Sequence, residues 1–181
     1  MKYWLNLLLG LLTMLLPALN GSAAAFPEKK AAKEPITVYI FLSETCPISQ
    51  FYTLTLKELH QAFADENLKF TGVFPNAEST PETIAEFKAR YSLPFSLLPD
   101  PKQELTKALK AGITPEVVVK NEVSGEILYK GRIDNSYFRV GKRRDKVTEE
   151  DLKKALTEIK NNQKVSNPIS AAVGCYITLL P

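Results

Sequence analysis

Two cysteines carry the clearest chemistry in this 181-residue chain, and the first of them is Cys46. It follows a nearly continuous apolar run, Ile36 to Leu42, and is followed at once by Pro47. Such a run is typical of a buried strand, and proline is favoured in the first turn of a helix. Cys46 is therefore predicted at a helix start, where backbone N–H groups and the helix dipole favour a thiolate. A thiolate attacks disulfides and reacts with peroxides, whereas the alternative is an inert, buried thiol.

The second cysteine, Cys175, lies near the C-terminus, beyond the last predicted helix. Its segment follows Asn167–Pro168 and has no regular pattern, so we expect a flexible tail. About ten extended residues would span roughly 33 Å, which is enough to reach a distant site. Three roles remain open for Cys175: a disulfide with Cys46, a structural thiol, or a bond between chains.

Other residues with chemical potential are assigned structural roles. His60 is the only histidine, and its place in a helical pattern indicates a partly buried or surface residue, so no metal site is predicted. Lys142–Lys146 is a basic cluster that we interpret as a solvated loop. The net charge of +3 is too small to indicate a nucleic-acid partner. The sequence has no glycine-rich phosphate loop and no serine-hydrolase elbow, and no cofactor is predicted.

The N-terminal 25 residues have the pattern of a secretory signal peptide. Lys2 is followed by a leucine-rich stretch, Trp4 to Leu19, and then by the small residues Ala23 to Ala25. We predict cleavage after Ala25. A retained membrane anchor is the alternative, but the apolar stretch is shorter than the about 20 residues that span a bilayer. Export, to the periplasm or beyond the cell, would allow a disulfide to persist.

The remaining chain is predicted to hold an exposed lead-in at residues 26–35, one domain at 36–163 and a tail at 164–181. Predicted strands lie at 36–42, 68–74, 95–98, 116–120 and 126–130, the last two forming a hairpin around Ser124–Gly125. Predicted helices follow Cys46, run from the Thr80 cap to Tyr91, span Gln103–Ala111 with Gly112 as the stop, and span Thr148–Asn161 with Thr148 as the cap. This order predicts an α/β fold with a central mixed β-sheet flanked by helices on both faces.

Cys46–Pro47 at a helix start and Thr114–Pro115 before a strand and hairpin together resemble the thioredoxin-like superfamily, over residues 36 to about 161. The stretch between Phe74 and Gly112 is more similar to the redoxin branch, which includes the alkyl hydroperoxide reductase/thiol-specific antioxidant group. This resemblance implies a three-layer thioredoxin-like fold with a cis peptide bond before Pro115. It also implies a thiol–disulfide oxidoreductase acting on a protein disulfide or thiol.

Site roles also follow from the resemblance. Cys46 would be the attacking thiolate. Ser49 stands where thioredoxins carry their second cysteine, so the usual dithiol cycle cannot run within this motif. Cys175 is therefore the candidate resolving thiol. Residues predicted to bind the substrate or to shape its site are Ser43, Pro47, Ser49, Thr114 and Pro115, with the two serines hydrogen-bonding the sulfur.

Two alternative functions remain. The first is a peroxiredoxin-type thiol peroxidase, a family that carries a proline and a threonine before its reactive cysteine. Ser43 is an acceptable substitute for that threonine, but Tyr39 stands where the proline is expected. Its peroxide-orienting arginine would fall near Thr114, and Arg90 or Arg132 would serve only if the fold brought them close. The second alternative is a non-catalytic binding module that has kept the fold.

Overall fold

The computed structural model describes residues 34–181. The predicted signal peptide at 1–25, and the lead-in except for its last two residues, lie outside the described residues. In chain order the elements are β1 (Ile36–Phe41), α1 (Pro47–Phe63), β2 (Leu68–Phe74), α2 (Pro81–Tyr91), β3 (Ser96–Pro99), α3 (Glu104–Ala108), β4 (Ile113–Thr114), β5 (Glu116–Asn121), β6 (Ile127–Gly131), β7 (Tyr137–Arg139), β8 (Lys142–Arg143), α4 (Asp151–Lys160) and β9 (Cys175–Tyr176).

A five-stranded mixed sheet with the order β3-β2-β1-β5-β6 forms the centre of this unit. β1 pairs in parallel with β2 and antiparallel with β5. β1 is the middle strand, and a hydrophobic cluster covers each of its two faces, which explains its continuous apolar sequence. Val38 and Ile40 face a core shared with α1, α2 and α4, and Phe41 faces a second core shared with Leu109 and Ile177. The predicted α/β class with a flanked mixed sheet is confirmed.

Local signals placed most elements correctly, with two errors at helix ends. The predicted cap of α2 is confirmed, since Thr80 and Thr83 form a capping box. Gly112 does not end the third helix, which stops at Ala108 and is followed by Lys110 in the left-handed region. Thr148 does not cap the last helix either. Its backbone N–H and hydroxyl pair with the side chain of Asn135, and α4 begins three residues later.

The hairpin of β7 and β8 was not predicted from the sequence. It places Lys142 and Arg143, the first residues of the basic cluster, in a short exposed strand rather than a loop. Within residues 34–181, no helix is both long and apolar enough to cross a lipid bilayer.

The C-terminal segment lies along the domain instead of extending from it as the flexible tail that we expected. Lys130 N donates to Pro168 O at 2.8 Å, and Ser170 N donates to Lys130 O at 3.0 Å. Further on, β9 pairs antiparallel with β4, so that Cys175 lies opposite Thr114. The packing of this segment brings the second cysteine into the domain.

Candidate active site

Cys46 is the N-cap residue of α1, and Pro47 is its first helical residue, as the sequence predicts. Proline suits this position because the missing N–H would have no partner within the helix. The backbone of Cys46 joins the helix through a hydrogen bond from Gln50 N to Cys46 O at 3.1 Å. Cys46 is only 2% exposed. A buried sulfur therefore sits at the positive end of a 17-residue helix.

Cys175 and Thr114 both contact this sulfur. The two sulfur atoms lie 2.7 Å apart, with the Cys175 thiol donating to Cys46 Sγ. Thr114 O lies 3.2 Å from Cys46 Sγ, and Thr114 Oγ1 donates to Cys175 O at 3.4 Å. The bond between Thr114 and Pro115 is cis, which confirms that prediction. Both cysteines are free thiols, close enough to form a disulfide after a small movement.

The electrostatics of Cys46 are a balance between burial and donated hydrogen bonds. Burial raises the pKa of the Cys46 thiol, but the donor groups around it outweigh that effect and leave the pKa below its ordinary value. The thiol of Cys175 contributes most to this lowering, followed by the backbone N–H and hydroxyl of Ser49 and the N–H of Ile48. The carbonyl of Thr114 accepts only from the protonated thiol and opposes ionisation.

Cys175 is shifted in the opposite direction. Burial, the hydrogen bond to Cys46 and the charge of a Cys46 thiolate raise the pKa of Cys175 to about 11. Cys175 therefore keeps its proton to a higher pH than Cys46 does. Cys46 is the more readily ionised thiol of the pair, and Cys175 is its hydrogen-bond donor.

The loop before α1 is ordered by polar side chains. The hydroxyl of Ser43 contacts Thr45 Oγ1 at 3.1 Å and accepts from Asn76 Nδ2 at 2.9 Å, while Ser43 N donates to Ser49 Oγ at 3.3 Å. Ser49 lies beside the sulfur, whereas the hydroxyl of Ser43 makes its contacts within the loop. Cys46 N donates to Ser43 O at 3.3 Å, so Ser43 fixes the backbone from which the thiol projects.

The other candidates lie outside this cluster. Arg132 pairs with Glu149 and with Asp151, the latter at 2.8 Å. Arg90 is exposed on α2, and among the described residues no arginine hydrogen-bonds either sulfur. His60 is half-buried, with its ring 5.3 Å from that of Phe70 and 5.8 Å from that of Phe95. In this part of the chain, no group of three or more His, Cys, Asp or Glu side chains is arranged to hold a metal ion.

Sequence reasoning missed two residues that contact the C-terminal segment on either side of Cys175. Gly174 is buried against β4, where an added Cβ would lie 2.1 Å from Thr114 O. Gln103 hydrogen-bonds the chain on the other side of Cys175. A glycine directly before a cysteine was a visible signal for a close approach, but no local pattern connects Gln103 with the C-terminus.

A cysteine capping the first helix of a mixed sheet, beside a cis-proline at the entry to a central strand, defines a thioredoxin-like protein. The sequence profile of the AhpC/TSA family matches residues 16–137, more than half of the chain. The chain therefore belongs to the AhpC/TSA family. A search of curated protein sequences gives no match.

Solved structures agree with this fold. An uncharacterized conserved protein from Geobacillus kaustophilus superposes with a TM-score of 0.69 at 24% identity, over 82% of this chain and 79% of that chain. A hypothetical protein from Sinorhizobium meliloti gives a TM-score of 0.69 at 24% identity, over 81% of both chains. The thioredoxin domain of a thiol-disulfide oxidoreductase from Bacteroides vulgatus gives 0.51 at 15% identity, over 70% of this chain and 80% of that chain. At these identities the likeness establishes the fold alone.

Proposed function

We propose that this protein is a thiol–disulfide oxidoreductase in which Cys46 is the attacking thiolate and Cys175 the resolving thiol. The observation that carries the proposal is the 2.7 Å approach of the two sulfur atoms, together with the opposite directions of their pKa shifts. The attacking thiol must be ionised near neutral pH, and the resolving thiol must reach the same sulfur. Ser49, Pro47 and the Thr114–Pro115 segment border that sulfur and are proposed to shape the substrate site, with Ser43 ordering the loop.

The proposed reaction exchanges one disulfide for another. The Cys46 thiolate attacks one sulfur of a protein disulfide, forming a mixed disulfide and releasing the other sulfur as a thiolate. That thiolate takes up the proton of the Cys175 thiol, which lies next to Cys46 Sγ. The Cys175 thiolate then attacks Cys46 Sγ, which releases the second substrate thiolate and leaves a Cys46–Cys175 disulfide. The substrate gains two electrons, and an external dithiol restores the protein.

A thiol peroxidase is less well supported by the site. In peroxide reduction the two oxygen atoms need donors that stabilise charge on the leaving oxygen, which is the task of an active-site arginine. Arg132 is held by Asp151 and Glu149, and Arg90 is exposed on α2. A non-catalytic binding module would have no need for a lowered thiol pKa. Export remains part of the proposal and rests on the N-terminal sequence pattern.

The test is to trap the mixed disulfide, with insulin as the disulfide substrate. Reduced Cys175→Ser protein should accumulate a covalent adduct through Cys46, because the resolving thiol is absent. The Cys46→Ser variant, which keeps the other cysteine, is the matched control and should form no such adduct. Equal adduct formation by both variants, or by neither, would contradict the proposal. Consumption of hydrogen peroxide faster than by free cysteine would favour the peroxidase instead.

A further inference from the structure

The side-chain amide of Gln103 contacts the chain on the C-terminal side of Cys175. Gln103 is 2% exposed and adopts a left-handed backbone conformation (φ 58°) directly before α3. Its Nε2 donates to Thr178 O at 2.8 Å, and its Oε1 accepts from Leu180 N at 2.7 Å. Both ends of one amide therefore hold the backbone of residues 174–181, which we call the C-terminal arm.

The same amide is anchored to the central sheet. The second Nε2 hydrogen of Gln103 is donated to Pro75 O at 3.1 Å, directly after the last residue of β2. A glutamine offers two donors and an acceptor at one end of its side chain. A carboxylate of the same length lacks the donors, and an aliphatic side chain lacks both. Gln103 thus connects the arm to the sheet, and it does so through backbone atoms of the arm only.

Cys175 lies between this contact and a second anchor at β4. On its N-terminal side, Gly174 packs against Thr114 so closely that a Cβ would not fit. On its C-terminal side, Ile177 N donates to Gly112 O at 2.9 Å, and the Ile177 side chain is buried. Gln103 holds the residues that follow Ile177. Without Gln103, the arm would keep the β9 pairing, the packing of Ile177 and the contact of Lys107 Nζ with Pro181 O, but it would lose both hydrogen bonds that fix residues 178–180.

We propose that Gln103 is a positioning residue for Cys175, which raises the effective concentration of the second thiol at Cys46. A group held near its partner reacts as if at high local concentration, and that concentration falls when the tether loosens. The inference deepens the proposed function, because it rests on Cys175 being the second thiol. It concerns the disulfide equilibrium within the chain, which can be measured whether or not the protein turns over a substrate.

The experiment measures the equilibrium of Cys46 and Cys175 with glutathione. In this exchange the two thiols and one oxidised glutathione give the intramolecular disulfide and two reduced glutathiones. We expect Gln103→Ala to lower the equilibrium constant about tenfold, which corresponds to about 1.4 kcal/mol. A chain that ends after Ile177 lacks both arm contacts of Gln103 and should show a similar decrease. The double variant should be no worse than either single variant, because both changes remove the two hydrogen bonds between Gln103 and the arm.

Controls separate positioning from general destabilisation. Gln163→Ala changes an exposed glutamine outside the arm and should leave the equilibrium unchanged. The pH at which alkylation of Cys46 by iodoacetamide reaches half of its plateau should rise in Gln103→Ala, because a loosened Cys175 donates less often to the thiolate. An unchanged equilibrium in Gln103→Ala, or decreases that add in the double variant, would overturn the proposal.

If Gln103→Ala fails to fold, the chain that ends after Ile177 decides alone, and an unchanged equilibrium there overturns the proposal. The expected decreases of the equilibrium constant in these variants, combined with no reduction of insulin by the wild type, would refute the oxidoreductase and leave the positioning role of Gln103 intact.

Discussion

Replacing Cys175 by alanine tests the electrostatic balance at Cys46. In the native pair, the Cys175 thiol makes the largest contribution among the groups that lower the pKa of Cys46. Alanine removes this donor but leaves the helix N-terminus and Ser49 in place. Burial, which raises the pKa of Cys46, is then opposed only by the N–H groups of Ser49 and Ile48 and by the Ser49 hydroxyl. We therefore expect the thiolate of Cys46 to become less stable.

The size of the effect follows from the energy of a hydrogen bond to a charged group, about 1.5–3 kcal/mol. Cys46 is 2% exposed, so solvent replaces little of the lost donor. At a pH below the pKa, the ratio of thiolate to thiol should fall roughly 10- to 100-fold, since each 1.4 kcal/mol is a factor of ten. Above the pKa the sulfur is fully ionised in both proteins, so the effect disappears there.

The assay is the rate of alkylation of Cys46 by iodoacetamide as a function of pH. For Cys175→Ala, the rising part of the profile should move to higher pH while the plateau stays close to that of the reduced wild type. Cys175→Ser is the matched control, because its hydroxyl remains a donor and should restore most of the rate. Superimposable profiles for the wild type and the alanine variant would refute the reasoning, since the neighbouring thiol would then contribute nothing to ionisation.

Three further expectations concern the C-terminal segment and its supports. Gly174→Ala would place a Cβ 2.1 Å from a backbone oxygen of β4, so the equilibrium constant for disulfide formation with glutathione should fall about tenfold. Gly112→Ala is the control and should have no effect, because nothing lies within 4 Å of the added atom. Tyr129→Phe removes a buried hydroxyl that donates to a backbone carbonyl at 2.5 Å. The free energy of unfolding in urea should fall by about 1–3 kcal/mol, and an unchanged value would contradict this expectation. Because the pKa of Cys175 is raised to about 11, iodoacetamide should label only Cys46 at neutral pH and Cys175 only as the pH approaches that value; peptide mapping that finds both labelled at neutral pH would contradict this.

Sequence reasoning succeeded where a local pattern determines the structure. The apolar run of β1 reflects its place in the middle of the sheet, and the Thr80–Thr83 box encodes its own helix start. The position of Cys46 before a proline was another local signal, and the helix begins where that signal places it. The Thr114–Pro115 pair was informative through its resemblance to a family pattern.

The errors arose where tertiary contacts override a local preference. Thr148 has the side chain of an N-cap residue, but its hydroxyl accepts a hydrogen bond from the side chain of Asn135. Arg132 pairs with Asp151, which is the first residue of α4. The course of the C-terminal segment depends on pairs such as Gly112 with Ile177 and Gln103 with Leu180. Such contacts between residues far apart in the chain leave no periodic pattern in either segment.

The position of the C-terminal arm links the reactivity of Cys46 to its accessibility. With the arm in place, the Cys175 thiol stabilises the thiolate, but the same chain leaves Cys46 only 2% exposed. In the proposed reaction, a disulfide within another folded protein approaches this sulfur when the arm moves aside, and resolution requires that the arm return. The arm is held by the buried side chain of Ile177 and by a few hydrogen bonds, each of which contributes about 1 kcal/mol. We therefore expect the contacts that position Cys175 to set the balance between substrate entry and resolution.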